Sequence, residues 1–406
     1  MTVMWVPASE QDIFDGIKND AIKETHFMEV KQSARPAQIA QTLASLAVDG
    51  GVFILGIAEE KDDRGNKRLV PQPLLLEGQL ERVDSVARNS IEPPLKVRST
   101  AIRSKVDPSD GYVVVTVEAS LAAPHMVENK YYGRGEVSKH ALSNAEVTRY
   151  HEQQGVLEEI AGRLLDEAEA NDYLPVEMRN FGHLYLVAEP LRPIDASVVL
   201  EFLADEDRGQ DFILSGHPKC NTDMRRFSPT PMEAHVIRQR ESGISFITTD
   251  ADGPGRSMNA SPPSSEDGLL DIELTESGGI RVFIGRGTVP ATSGEKTVFD
   301  GIAVAYTQRL LYWVGQLSDY YGYGSLWTVG VRLNGVSGLR AYSKSGGMRT
   351  GARGGTLEKD CYSRTCIVST HELNASPDDV TRSLVGPLLR ILGTTSQHLP
   401  VAPGSS

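Results

Sequence analysis

The stretch KETHFMEVKQ places Glu24, Glu29 and Lys31 within eight residues that otherwise have the apolar alternation of a strand. Side chains two residues apart project from the same side of a strand, so Glu29 and Lys31 should lie together, with Glu24 on the turn that enters it. A further carboxylate, Glu59 or Glu60, follows the apolar run VFILGI, which has the composition of a second, buried strand. Two strands that end together in one sheet would bring these carboxylates close to each other.

Three converging carboxylates would bind a divalent cation such as Mg²⁺ or Mn²⁺, because hard cations take oxygen ligands and their charge offsets the repulsion among the carboxylates. The metal could polarise a phosphate and activate a water molecule, while Lys31 would stabilise the developing charge. An exposed sheet edge, where glutamate and lysine only form ion pairs, would give the same spacing. The residues alone leave both interpretations open.

A second polar set occurs in KYYGRGEVSK, where Arg134 lies between two glycines and follows Tyr131 and Tyr132. Such a hairpin can hold a phosphate through the guanidinium and stack a base on Tyr132 or its neighbour. It can equally be a turn with an anchoring tyrosine.

Basic residues also recur along the predicted strand RSTAIRSK, as Arg98, Arg103 and Lys105. They could form a basic strand face that contacts phosphates. They could also be a solvated edge that discourages aggregation.

Composition limits the classes of function. The net charge is −13, with −3 in residues 1–150 and −10 in the remainder, so no basic tail for nucleic acid is present and a polyanion would need a local basic patch or a metal. Three cysteines, Cys220, Cys361 and Cys366, fit a reducing cytoplasm better than a disulfide framework. No apolar run long enough for a transmembrane helix and no signal-peptide pattern occur, so we expect a cytoplasmic protein without a membrane partner.

The first part of the chain predicts a mixed α/β domain over residues 1–153. A helix capped by Ser9 precedes the Glu29 strand, and Pro36 opens the next helix. Further strands and helices alternate until a helix that begins near Ser143, where a capping box is present.

The pattern of helices and strands in residues 154–406 predicts an α+β domain of unknown role. Its strongest helix is FDGIAVAYTQRLLYWVGQLSDYY, and strands such as GHLYLVAEP and LWTVGVRLNGV surround it in the sequence. A second helix at 156–171 should connect the domains, and the Gly-, Pro- and Ser-rich stretch 250–268 should be a flexible loop. The fold class is therefore α/β, a mixed α+β chain of two domains.

The order of motifs in residues 20–150 resembles the AlbA-like domain of the Schlafen family. The pattern Glu-x4-Glu-x-Lys matches Glu24, Glu29 and Lys31, and the glycine pair before an apolar strand matches "GG" before VFILGI. Four further motifs match in order. They are the strand end "GIAE" at Glu59; the pair Pro124 and His125; the Tyr-Tyr-x-Arg-Gly motif at Tyr131, Tyr132, Arg134 and Gly135; and the Ser-x-x-Glu motif at Ser143 and Glu146. One departure is that Ala58 and Glu59 replace two aspartates of the family pattern.

The resemblance implies a metal-dependent endoribonuclease that acts on structured RNA such as tRNA, in a role such as anti-phage defence. Glu24, Glu29 and Glu59 would hold Mg²⁺ or Mn²⁺, and Lys31 would assist. Because the chain carries one such domain, two copies could be needed to form a groove, as in a homodimer.

Two alternatives remain open from the sequence. The domain could be a non-catalytic regulator that binds nucleic acid, RNA or DNA, or a nucleotide. The second domain could instead be the active part, sensing a ligand or partner.

Overall fold

The computed structural model of the chain contains two compact units. The first unit is Met1–Gly155 and the second unit is Val156–Ser406. The sequence places the boundary after residue 153. The structure describes residues 6–61, 67–120, 122–135, 138–174, 176–192, 194–220, 222–225, 227–248, 266–345 and 354–399. Most of the predicted flexible loop at 250–268 lies outside the described residues.

The first unit is built on a five-stranded sheet with helices on both faces. Its strands are β1 Met28–Lys31, β2 Gly51–Leu55, β5 Leu74–Leu75, β6 Val97–Arg103 and β7 Asp110–Val117. β1 and β2 are parallel, and β7 pairs antiparallel with β2, β5 and β6. β3 Ile57–Lys61 and β4 Lys67–Pro71 form a separate two-stranded sheet, and β8 Met126–Val127, β9 Lys130–Arg134 and β10 Lys139–Ala141 form a third.

Three helices cover the central sheet: α1 Glu10–Lys18, α2 Pro36–Leu46 and α3 Gln79–Asn89. The α2 and α3 face buries Phe53 and the odd-numbered valines of β7, whereas the other face buries Ile13 of α1. β2 is therefore covered on both faces, which is why its run is apolar throughout. Ser9 is the N-cap of α1, as predicted, and forms a capping box with Asp12.

The connection β1–α2–β2 sets the position of the candidate site. α2 begins with Pro36 and ends before Gly50, whose φ of 83° lies in the left-handed region that glycine adopts without strain. β9 and β10 pack on α2, which brings residues from beyond position 130 next to β1.

The second unit has a seven-stranded antiparallel sheet in the order β12-β13-β14-β15-β11-β18-β19. These strands span β11 Leu184–Pro190, β12 Val236–Arg240, β13 Gly243–Ile247, β14 Leu270–Thr275, β15 Ile280–Ile284, β18 Leu326–Asn334 and β19 Cys361–Ser369. β16 Thr288–Pro290 and β17 Lys296–Val298 form a small hairpin. α4 Asn144–Ala170 begins in the first unit and ends in the second. The other helices of the second unit are α5 Ala196–Leu203, α6 Glu206–Ser215, α7 Asp300–Tyr321, α8 Thr370–Ala375, α9 Pro377–Leu392 and α10 Thr395–His398. α7, the strongest predicted helix, is central to the main core.

One helix prediction differs from the structure. The predicted helices from Ser143 and over 156–171 are one helix, α4, because Gly155 costs only about 1 kcal/mol in a helix that no proline interrupts. Pro387 lies inside α9 without ending it. The chain is a mixed α/β protein, as the sequence predicts. No helix in the described ranges is both long and apolar enough to cross a membrane.

Candidate nucleic-acid interface

Strand β1 separates apolar from charged side chains, as its alternation predicts. Met28 and Val30 pack in the core on the α1 face. Glu29 and Lys31 stand opposite Phe53 and Leu55, on the face that α2 covers. Since β1 is an edge strand of the sheet, these two charged groups lie where the α2 face meets the rim.

Arg134 at the end of β9 fastens the hairpin to β1. Its Nε donates to the Thr25 carbonyl at 2.9 Å, and its Nη2 donates to the Met28 carbonyl at 2.9 Å. Nη2 also lies 2.7 Å from Glu29 Oε2, in an ion pair whose side chains are 1% and 7% exposed. A buried guanidinium with these partners is a structural clamp, so the predicted role of Arg134 as a surface phosphate ligand is wrong.

Lys31 completes the neutralisation of Glu29. Its Nζ lies 3.1 Å from Glu29 Oε1 and 3.6 Å from Glu24 Oε1, and its side chain is 33% exposed. Burial raises the pKa of Glu29, but the Arg134 guanidinium and then Lys31 outweigh that effect, so the pKa lies below its ordinary value. Glu29 is therefore a carboxylate held between two cations.

Lys139 of β10 adds a third cation to this group. Its Nζ donates to Thr42 Oγ1 of α2 at 2.6 Å. Burial lowers the pKa of Lys139, and the charges that act on it include Glu29, Lys31 and Arg134. We call Glu24, Glu29, Lys31, Arg134 and Lys139 the β1 cluster; its formal charge is positive by one.

His26 links the turn before β1 to the hairpin. Its Nδ1 lies 3.1 Å from the Gly135 carbonyl, and its Nε2 lies 2.8 Å from Asp49 Oδ2. The hydrogen bond to Asp49 raises the pKa of His26 more than burial lowers it. Phe27 packs edge-on against this ring and is 39% exposed.

Among the described residues, the three carboxylates predicted to hold a metal do not come together in one site. β2 ends at Leu55, and the chain turns at Gly56 into β3, which pairs with β4 and carries Glu59 as an exposed residue in a different sheet. Both oxygens of Glu29 already face cations. Within the described residues, no group of three His, Cys, Asp or Glu side chains could hold a metal. The donor set therefore does not fit Mg²⁺ or Mn²⁺.

The predicted basic strand face is also wrong. Arg98 and Arg103 are both exposed on β6, but they are five residues apart, so the strand's alternation sends them to opposite faces. Lys105 is exposed beyond the strand end, where its backbone amide donates to Glu10 of α1.

The two tyrosines of the hairpin take a structural position. Tyr132 is half-buried and packs against the α2 and α3 core, and Tyr131 is likewise half-buried. Tyr132 is therefore less available for stacking than Phe27. Sequence reasoning missed Phe27, His26 and Lys139; only the tertiary contacts of His26 with Gly135 and of Lys139 with Thr42, and the packing of Phe27 on His26, reveal them.

In the second unit, Ser343, His398 and Asp300 lie together like parts of a hydrolase triad. Both Ser343 Oγ and Asp300 Oδ2 contact the same imidazole nitrogen, Nε2, at 3.1 and 2.7 Å. A triad needs the base to bond the acid through one nitrogen and the nucleophile through the other. This arrangement is therefore a structural hydrogen-bond group at the start of α7.

No family model and no curated protein matches the chain. Among solved structures, it is similar to the N-terminal domain of a RecG-related protein from Nitrosomonas europaea, at 19% identity and a TM-score of 0.27, over 34% of this chain and 92% of that one. It is also similar to the DIP2311 protein from Corynebacterium diphtheriae, at 18% identity and a TM-score of 0.24, over 36% of this chain and 29% of that one.

Proposed function

We propose that the first unit binds single-stranded nucleic acid as a non-catalytic docking module. The observation that carries this proposal is the β1 cluster, which has an excess of positive charge at a partly exposed rim in an otherwise acidic chain. Lys31 and Lys139 would contact phosphates there. The resemblance of the motifs to the AlbA-like domain agrees with this class of ligand.

Phe27 would supply the second element of the interface. It belongs to the turn whose Thr25 carbonyl is held by Arg134, so the clamp also fixes the aromatic ring beside the cluster. Base stacking on an exposed aromatic side chain and backbone contacts with lysines are the usual means of binding single strands without sequence preference.

The proposal assigns Glu29 a positioning role. With Arg134 and Lys31 against its two oxygens, this carboxylate holds Lys31 at the rim and does not need a metal. The nuclease hypothesis would require a cation to displace these ion pairs and to recruit ligands from elsewhere.

The test measures binding of a labelled oligouridine and a labelled hairpin RNA by fluorescence anisotropy over a series of salt concentrations. Lys31→Gln should weaken binding several-fold and reduce the slope of log affinity against log salt by about 1, since one phosphate contact is lost. Arg88→Gln is the matched control, because Arg88 is an exposed cation on α3 away from the cluster.

Phe27→Ala should weaken binding of oligouridine by about 1–3 kcal/mol if a base stacks on the ring. Phe14→Ala, at an equally exposed phenylalanine of α1, is its control. Equal binding by wild type and both lysine and phenylalanine variants would refute the interface.

A parallel incubation of tRNA with Mn²⁺, with and without chelator, distinguishes the nuclease hypothesis. Intact tRNA in both samples is the result expected for a docking module. Chelator-sensitive cleavage that Glu29→Gln abolishes would replace the docking proposal with the endoribonuclease.

A further inference from the structure

A buried arginine in the second unit faces a cysteine rather than a carboxylate. Arg309 lies in the middle of α7 and is completely buried. Its Nη2 donates to the His217 carbonyl at 3.3 Å and contacts Cys220 Sγ at 3.5 Å. The guanidinium carbon also lies 4.7 Å from the centre of the Tyr306 ring.

The charge of Arg309 is otherwise poorly compensated. Its Nε and Nη1 make no hydrogen bond to any described residue, and no carboxylate in the described ranges forms an ion pair with it. An isolated charge in a protein interior is costly, whereas a paired one is tolerated. The sulphur of Cys220 is the side-chain acceptor that the guanidinium contacts, and the same thiol donates to the His217 carbonyl at 3.9 Å.

Charged residues of both signs flank the cysteine in the sequence. Lys219 lies over the Tyr312 ring, and Asp223 and Arg225 are exposed. Glu233 acts electrostatically on His217, but its carboxylate is engaged by Ser228 and Thr230. Cys220 itself is only half-buried, so a small reagent can approach it.

We propose that Cys220 is a modification site, a thiol activated by Arg309 that hydroperoxides oxidise. The thiolate sulphur attacks one peroxide oxygen, an S–O bond forms as the O–O bond breaks, and hydroxide or alkoxide leaves. Sulphur loses two electrons to the peroxide, and the product is a sulphenic acid; the departing hydroxide or alkoxide takes its proton, which leaves a sulphenate and water or an alcohol. Its new oxygen is an acceptor for the guanidinium beside it.

The other two cysteines provide internal controls. Cys361 is exposed, and burial around its sulphur raises its pKa. Burial raises the pKa of Cys366 to about 11. Arg332 acts electrostatically on Cys361, but in the described part of the chain no arginine donates a hydrogen bond to the sulphur of Cys361 or Cys366. Access alone therefore ranks Cys361 first, whereas the contact with Arg309 ranks Cys220 first.

The experiment treats the full chain with a limiting amount of iodoacetamide at neutral pH and measures alkylation of each cysteine by mass spectrometry. We expect Cys220 to react at least about tenfold faster than Cys361, because the thiolate is the nucleophile. In urea the three rates should converge. If Cys361 is alkylated faster than Cys220 in the folded protein, the proposal is overturned.

Two further measurements complete the test. Dimedone should label Cys220 after brief exposure to hydrogen peroxide, and labelling confined to Cys361 would contradict the assignment. Arg309→Met should slow alkylation of Cys220 about tenfold, with Arg309→Lys intermediate; an unchanged rate in a folded Arg309→Met protein would also overturn it. Should Arg309→Met fail to fold, the order of rates in the wild type decides.

Discussion

Two buried charged groups, one in each unit, show how similar chemistry can have different consequences. In the first unit, Glu29 lies between Arg134 and Lys31, and Lys31 reaches solvent. In the second, His183 lies between Asp172 at 2.7 Å and Glu266 at 2.9 Å, and all three side chains are less than a tenth exposed.

The network of the second unit is closed. Asp172 also accepts from the Tyr185 hydroxyl and pairs with Arg179, and Glu266 accepts from the backbone amides of residues 180 and 181. The β1 cluster, in contrast, ends in a partly exposed lysine and has one more cation than carboxylate. A closed and fully bonded network stabilises the fold, whereas an open one with excess charge can also bind a ligand.

The largest loss of stability should come from removing His183, the residue that joins the two carboxylates of the second unit's network. His183→Ala leaves two buried carboxylates without their shared cation, so we expect a loss of about 3–5 kcal/mol in the unfolding free energy of the second unit. Urea unfolding followed by the fluorescence of the buried Trp313 and Trp327 measures it. His235→Ala, at an exposed histidine, is the control; similar small losses for both variants would contradict the comparison.

A somewhat smaller effect should follow from removing the clamp of the first unit. Arg134→Met leaves Glu29 with Lys31 alone and frees two backbone carbonyls, which should cost about 2–4 kcal/mol. Hydrogen exchange at the amides of β1 and β9 reports this loss directly, and Arg103→Met is the exposed control. Unchanged protection of both strands would show that Arg134 is not a clamp.

The smallest effects concern pH, and they have opposite signs in the two groups. Burial lowers the pKa of His183, but the hydrogen bonds to Asp172 and Glu266 raise it above its ordinary value. Its stabilising contribution is therefore complete below the unfolded-state pKa, about 6.5, and is lost as pH rises through the folded-state value.

Glu29 behaves in the reverse manner, since its pKa is lowered. Its contribution is present above the unfolded-state pKa and is lost as pH falls through the folded-state value. Unfolding free energies of wild type, His183→Gln and Glu29→Gln, measured from acidic to alkaline pH, separate the two. If both variants differ from wild type most strongly at alkaline pH, the assignment for His183 is wrong; if both differ most strongly at acidic pH, the assignment for Glu29 is wrong.

Local patterns in the sequence were sufficient for much of the first unit. Strand alternation correctly predicted that Glu29 and Lys31 share a side, and the N-cap serine at position 9 and the proline at position 36 correctly predicted two helix starts. The same alternation, applied to Arg98 and Arg103, would have excluded a common basic face, because their separation is odd. These features depend on neighbours within a few residues, whose geometry the backbone dictates.

The tertiary structure decided which charged side chains lie next to Glu29. Arg134 is more than a hundred positions from Thr25 and Met28, and it reaches them only because β9 packs on α2. Glu59 leaves the group because the chain turns at Gly56 into another sheet. The sequence by itself determined that carboxylates and a lysine would meet at the edge of β1; packing between distant segments determined that cations, rather than a third carboxylate, would surround Glu29. Ion pairing acts through space over a few ångströms, and periodicity along the chain carries no information about such distant partners.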